Sequence, residues 1–379
     1  MTEIPARFPK NEIMSLVGGS PRYELAESFG PSLKVGDLLS EPGLDELALA
    51  YGTAEGGEQL RRAIAAANGA GPEDVVVTIG GSHALFLIAF ILCDRGDQAV
   101  VASPLFPPAR SALTAVGAEL RTLALRFDRG YRLDPAELAQ LLSDRTRLVS
   151  LASPQNPSGV AFSEETLRGI LAVMREKSPQ AYLLLDETYR EAPFGGAPVA
   201  ASAVGLSDKV ISVASLSKCH GAPGLRLGWA ITRDPTLREQ LVLAKFNTII
   251  SCSPLDEALA LKVLRQGERS LAERRRHFAA GLARTERWVL EYARFVDWVR
   301  PDAGCICCVR LKPALFDEGA VALFYRELEI EGVRVGNGVW FGEEPRVFRL
   351  GFGLLSIPDL EAALTALSTA IARTARQAA

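Results

Sequence analysis

The sequence predicts an α/β protein with a large domain built on a mainly parallel, mixed sheet flanked by helices, followed by a smaller α+β domain. From about residue 75, short β-rich runs alternate with helical stretches, as expected when strands are joined by crossover helices. Those runs are almost continuously apolar, which suits strands buried on both faces. At 379 residues the chain also exceeds what one hydrophobic core usually supports, so a second, smaller lobe is expected.

The elements follow in order. VVVTIG (75–80) precedes the helical SHALFLIAFILC, QAVVAS (98–103) precedes PARSALTAVG, and RLVSLAS (147–153) precedes SEETLRGILAVM; AYLLLD (181–186) and KVISVAS (209–215) complete the set. Around Asp256 to Phe278 the pattern turns helical and charge-rich. From Trp298 onward come new strand signals, CICCVRL, GVRVGN and RVFRLGF, then a helix near Pro358 to Ala372. No Pro/Gly-rich linker marks the joints. The expected division is residues 1–44 packing with the small domain, 45–280 forming the large domain and 281–379 the small one.

Composition excludes several classes. Hydrophobic residues make up 48%, charged residues 23%, and the formal charge is −3, so a basic nucleic-acid-binding surface is not expected. The opening MTEIPARFPKNEI has no apolar core for a secretory signal, and no segment approaches the ~20 apolar residues of a membrane span; a cytoplasmic location is expected. The apolar run Ala84 to Cys93 ends at Asp94 and suits a buried helix. Three of the six cysteines crowd into Cys305-Ile306-Cys307-Cys308 with no second cluster to complete a tetrahedral site. On a strand, Cys305 and Cys307 share one face and Cys308 takes the other, so they read as small buried hydrophobes; no metal is expected.

Chemistry concentrates at strand ends, where open α/β sheets place their binding crevice. Ser215-Leu-Ser-Lys-Cys-His-Gly-Ala-Pro-Gly-Leu-Arg-Leu-Gly228 delivers Lys218 into a Gly-rich turn, with Arg226 eight positions later. An unprotonated lysine amine condenses with an aldehyde, and an arginine offers a planar fork to phosphate. An aldehyde that carries a phosphate is pyridoxal 5'-phosphate (PLP). Gly80-Gly81-Ser82 opens a helix and can receive a phosphate on its first N–H groups. Asp186, ending an apolar run, is costly to bury without a positive partner such as a protonated pyridine nitrogen.

The segment Ser215 to Gly228 resembles the lysine signature of the class I and II aminotransferases, the aspartate aminotransferase superfamily with the fold-type-I architecture. The resemblance implies that Lys218 holds PLP as a Schiff base. It implies that Gly80, Gly81, Ser82, Ser215, Ser217 and Arg226 surround the phosphate and the lysine, and that Phe106 stacks on the ring. Asn156, in Ser-Pro-Gln-Asn-Pro-Ser-Gly159, and Tyr189 would bond the cofactor's phenolic oxygen, and Asp186 its ring nitrogen. Tyr51, in Tyr-Gly-Thr-Ala-Glu-Gly56, resembles the tyrosine that reaches the phosphate of a neighbouring subunit, which implies a homodimer with shared sites. Arg349 in RVFRLGFG looks like the arginine that grips the substrate α-carboxylate, with Asn156 beside it; alternation sends Arg346 to the other face. Gly19 in Leu-Val-Gly-Gly-Ser-Pro21 resembles the N-terminal glycine whose N–H assists, although Ser20 departs from the acidic residue common there.

The implied activity is a ping-pong transfer of an amino group between an L-amino acid and a 2-oxo acid, with Lys218 moving the Cα proton. A decarboxylase, lyase or oxidase reaction on the same fold is the alternative; a PLP-binding regulator would need a DNA-binding domain ahead of Gly19, for which the chain leaves no room. Neither the donor side chain nor a role for His83 or His220 is legible, and Arg274-Arg275-Arg276 reads as a solvated helix face.

Overall fold

A computed structural model describes residues 7–16, 19, 21–39 and 44–377. In chain order these form β1 (Tyr23–Leu25), α1 (Glu58–Asn68), β2 (Val75–Thr78), α2 (Gly80–Leu92), β3 (Gln98–Ser103), α3 (Pro107–Val116) and β4 (Glu119–Ala124). Next come α4 (Pro135–Ala139), β5 (Thr146–Ala152), α5 (Glu164–Lys177), β6 (Tyr182–Asp186), β7 (Val210–Ser215) and β8 (Gly228–Thr232). The remainder is α6 (Pro235–Ile249), α7 (Pro254–Arg265), α8 (Gly267–Glu291), β9 (Val296–Val299), β10 (Ile306–Leu311), α9 (Glu318–Ile330), β11 (Val333–Asn337), β12 (Val347–Gly351) and α10 (Ile357–Gln377).

Among the described residues the strands make two sheets. The first has seven strands in the order β2-β8-β7-β6-β5-β3-β4, all parallel except β8, which runs against both neighbours. Alternation splits its apolar runs between two layers. Val100, Val149, Leu183 and Leu185 meet Leu167, Ile170 and Met174 of α5 on one face. Ala99, Val101, Leu148 and Leu184 meet α2 and α3 on the other. Because β8 is antiparallel, its first residue, Gly228, pairs with the last residues of β2 and β7, Thr78 and Ser215. That registry brings residues far apart in sequence to one edge of the sheet.

The second sheet, β1-β11-β12-β10-β9, is antiparallel except for the β1–β11 pair. Its outer face packs on α8, α9 and α10 through Val309, Phe348, Leu350, Phe278, Phe324 and Leu367. Cys305 and Cys307 belong to that core, whereas Cys308 and Val347 join the α5 layer of the first sheet. The two sheets therefore share apolar contact through one face of β10 and β12.

Two expected boundaries differ from what the chain does. Residue 280 falls inside the continuous helix α8, whose Leu271, Phe278 and Leu282 all pack with the second sheet. The segment 1–44, expected to pack with the small domain, divides. β1 joins the second sheet, but Leu38 packs with α1, β2 and β8, and Phe8 lies 6.3 Å from the Phe86 ring of α2. A three-residue strand satisfies only a short edge, so the flanking apolar residues go where exposed apolar surface remains. Among the described residues no helix is long and apolar enough to cross a membrane.

Candidate active site

The C-terminal ends of β5, β6 and β7 lie side by side, with Ala152 opposite Asp186 and Asp186 opposite Val213. They open on a cleft of about 580 Å3 that includes Gly81, Ser82, Phe106, Asn156, Asp186, Tyr189, Ser215, Ser217, Lys218 and Arg226. Ten of the residues singled out from sequence thus meet in one place.

One end of the cleft is built for an anion. Gly80 opens α2 with φ +67°, and the first turn of a helix presents unpaired N–H groups. Arg226, itself at φ +49°, sits against it, so a Cβ on Gly80 would lie 2.7 Å from Arg226 Nη2. A Cβ on Gly228 would lie 2.6 Å from the Gly80 carbonyl carbon and the Gly81 nitrogen. Both positions need glycine, and the resulting close approach gathers backbone donors, serine hydroxyls and a guanidinium around one pole. This donor set fits a phosphate.

The middle of the cleft holds two buried ionisable groups of opposite sign. Lys218 Nζ donates to Ser28 Oγ at 2.8 Å and lies 5.3 Å from the centre of the Phe29 ring. Burial, reinforced by the positive charge of Arg349, lowers its pKa to about 8, against the pull of Glu27 and Asp186. The amine is therefore far more often neutral at physiological pH than an ordinary lysine. Asp186 is raised above the usual carboxylate range by burial, even though Thr188 N and Oγ1 both donate to its Oδ1. A cation placed beside it would reverse that shift, and a protonated pyridine nitrogen is such a cation. The residues present fit PLP at both ends: amine for aldehyde, carboxylate for ring nitrogen, anion pole for phosphate.

The far wall comes from the second sheet and the N-terminal segment. Arg349 on β12 is fully buried; its Nη1 donates to Asn156 Oδ1 at 2.9 Å and its Nη2 to the Ala26 carbonyl, while Nε has no hydrogen-bond partner among the described residues. Its guanidinium stacks 4.5 Å from the centre of Phe341. Because Arg349 occupies the Asn156 oxygen, the amide nitrogen is what Asn156 can offer the cleft. Arg346 turns the other way and donates to the Phe316 carbonyl, as strand alternation requires. Tyr189 packs on Gly304, where a Cβ would lie 2.9 Å from its ring, and its hydroxyl donates to the Ser28 carbonyl at 3.2 Å.

Gly19 does not join the site. It is exposed beside Arg334, which donates to its carbonyl, and it precedes the start of β1. The chain then runs along β11 toward the cleft, so the residues that arrive there are Ala26, Glu27, Ser28 and Phe29. This correction has a simple cause: the Gly-Gly pair drew attention to a loop upstream, while the useful signal was the turn-forming Ser-Phe-Gly-Pro after the short strand YEL. Ser20 lies outside the described residues. Thr188 and Phe341 also escaped the sequence reading. Tyr51 is 83% exposed and stands outside this cleft. His220 pairs with Glu191 at 2.8 Å, and His83 Nδ1 accepts from Ile79 N at the start of α2, so both histidines have structural partners.

Comparison with known proteins agrees with this geometry. The family described as aminotransferase class I and II matches residues 23–367. The chain is 33% identical to capreomycidine synthase of Streptomyces vinaceus over 89% of its own length and 85% of that protein's. It is 30% identical to the arginine–pyruvate transaminase AruH of Pseudomonas aeruginosa, over 76% and 73%. Among solved structures, the PLP-dependent cyclase OrfR superposes with a TM-score of 0.85 at 27% identity over the whole of both chains. A PLP-dependent aminotransferase from Streptococcus suis gives 0.86 at 25% identity, over 96% of each.

Proposed function

The chain belongs to the class I and II aminotransferases, a PLP-dependent family, and from that premise we propose a division of labour within its cleft. The observation that carries the proposal is the buried Lys218 amine, its pKa lowered to about 8 by burial and the charge of Arg349, in the cleft that Asp186 also lines. Lys218 is the covalent anchor for the cofactor. Arg226, Ser215, Ser217, Gly81 and Ser82 hold its phosphate with Gly80 shaping the turn, Phe106 covers the ring, and Asp186 pairs with the ring nitrogen. Asn156 donates to the phenolic oxygen, with Tyr189 placed next to it.

When bound, PLP supplies an electron sink that lets a proton leave the substrate Cα. The protein supplies the rest. Arg349 exchanges its Asn156 and Ala26 contacts for the substrate α-carboxylate, which fixes the orientation of the Cα–H bond. Lys218 Nζ takes that proton and returns it one position away, a task suited to a base with a pKa close to the working pH. The amino acid leaves as a 2-oxo acid, and a second 2-oxo acid takes the amino group.

Two further readings belong with this one. Tyr51 reaches the phosphate site of a partner subunit in a homodimer. The exposed apolar residues Leu243, Phe246, Ile250 and Leu255 are close in sequence to Ser251, whose side chain would lie 3.7 Å from a Cβ on Gly52 next to Tyr51, and they support an interface there. All six cysteines are unpaired and buried, which suits the reducing cytoplasm.

The likeness to capreomycidine synthase and to the cyclase OrfR favours one second reading, a ring-closing PLP reaction on the substrate side chain. A panel of L-amino acids offered with pyruvate or 2-oxoglutarate separates the two. Stoichiometric appearance of alanine or glutamate supports amino transfer; product formation without consumption of any acceptor supports ring closure instead.

A further inference from the structure

The geometry points to Glu27 as the residue that selects a substrate whose side chain carries a positive charge, an amine or a guanidine at the end of an aliphatic stem. This inference rests on the aminotransferase reading of the cleft and adds the substrate class to it.

The charges around the cleft can be matched one by one to the groups every substrate brings. Arg226 answers the cofactor phosphate, Lys218 the aldehyde, Asp186 the ring nitrogen and Arg349 the α-carboxylate. Glu27 also lines the cleft, and neither the cofactor nor the constant part of an amino acid has a charge left for it. Among the described residues none gives its carboxylate a hydrogen bond or an ion pair. The carboxylate therefore keeps its lone pairs for a ligand cation.

The backbone holds Glu27 in this position. On one side the Ala26 carbonyl accepts from Arg349; on the other, Ser28 accepts from Lys218 through its hydroxyl and from Tyr189 through its carbonyl. The Glu27 carbonyl is wedged against β12, where a Cβ on Gly351 would lie 1.9 Å from it. Glu27 thus stands between the residue that touches the α-carboxylate anchor and the residue that touches the reacting amine, which is where the substrate's variable group must begin. Its negative charge acts on Lys218 more strongly than that of Asp186 does, and it acts on Arg349 as well, consistent with this placement. Phe29, two residues on, lines the same cleft and offers an apolar surface for the methylene stem of a long cationic side chain. The same carboxylate repels a second carboxylate, so acidic amino acids are disfavoured as well as unassisted.

Arginine and citrulline differ in charge but little in shape, and they provide the test. With PLP-loaded enzyme and a 2-oxo acid acceptor, kcat/KM for arginine exceeds that for citrulline and for glutamate. Glu27→Gln lowers the arginine value about tenfold to a hundredfold, mainly through KM, as expected for loss of a charge-assisted contact. Citrulline loses about tenfold less than arginine, because any effect of the missing charge on Lys218 falls on both donors alike. Equal use of arginine and citrulline by the unmodified enzyme overturns the inference while leaving amino transfer intact. An equal loss for both donors in Glu27→Gln also overturns it, because Glu27 would then be acting on Lys218. If no amino acid passes its amino group to an acceptor, both the inference and the reading beneath it fall.

Discussion

The two walls of the cleft are assembled in opposite ways. The wall proposed for the cofactor is local: each contributing strand ends and, within a few residues, presents a side chain to the cleft, as β6 does with Asp186 and Tyr189 and β7 with Ser215, Ser217 and Lys218. The wall proposed for the substrate is non-local. Arg349 is held by Asn156 and Ala26, partners 193 and 323 positions away, across a joint between two sheets. The difference teaches that the residues proposed for the cofactor come from short segments, while those proposed for the substrate depend on how the N-terminal segment and the second sheet close over them.

If that division holds, substitutions on the two walls should fail in different ways. On the wall proposed for the cofactor, Asp186→Asn removes the buried carboxylate that we propose pairs with the ring nitrogen. We expect kcat to fall about 10²- to 10³-fold, with cofactor affinity reduced and donor KM changed little, measured by steady-state kinetics and PLP titration. On the substrate wall, Arg349→Gln should raise donor KM about tenfold to a hundredfold while the bound-cofactor spectrum stays as it was. If Arg349→Gln loses the cofactor, or Asp186→Asn acts only on KM, the two walls are not separate in function.

The same contrast explains what could be read from the sequence. The placement of Lys218, Asp186, Asn156 and the Gly80–Ser82 turn was legible because each follows an apolar run that reads as a buried strand, and the crevice rule says what lies at its end; Arg226, which precedes β8, was legible only through the signature it shares with Lys218. The antiparallel β8 added what no local pattern could specify: it carries Gly228 against Gly80, which makes both glycines obligatory. Arg349 was picked out by its resemblance to the family's arginine, and alternation then set Arg346 on the opposite face. The N-terminal contact was not. β1 has only three residues and pairs in parallel with a strand some three hundred positions downstream, so nothing near Gly19 or Glu27 says which of them arrives at the lysine. The long helix α8 likewise hid the domain joint, because a helix that packs throughout on the second sheet leaves no change of composition at residue 280.

A smaller effect sharpens the account of Lys218. A lysine with an unfolded-like pKa of 10.5 would capture PLP ever faster up to that pH, whereas one lowered to about 8 should level off there. Below pH 8 the neutral fraction, and with it the rate at which the apoenzyme takes up the cofactor, should fall about tenfold per pH unit.

The most direct test uses that same capture reaction, trapped with borohydride and followed by peptide mass mapping. The account predicts one phosphopyridoxyl group per chain, on the peptide that contains Lys218, and none on Lys245 or any other lysine. A label on a different lysine, or its persistence at full stoichiometry in Lys218→Ala, would contradict it.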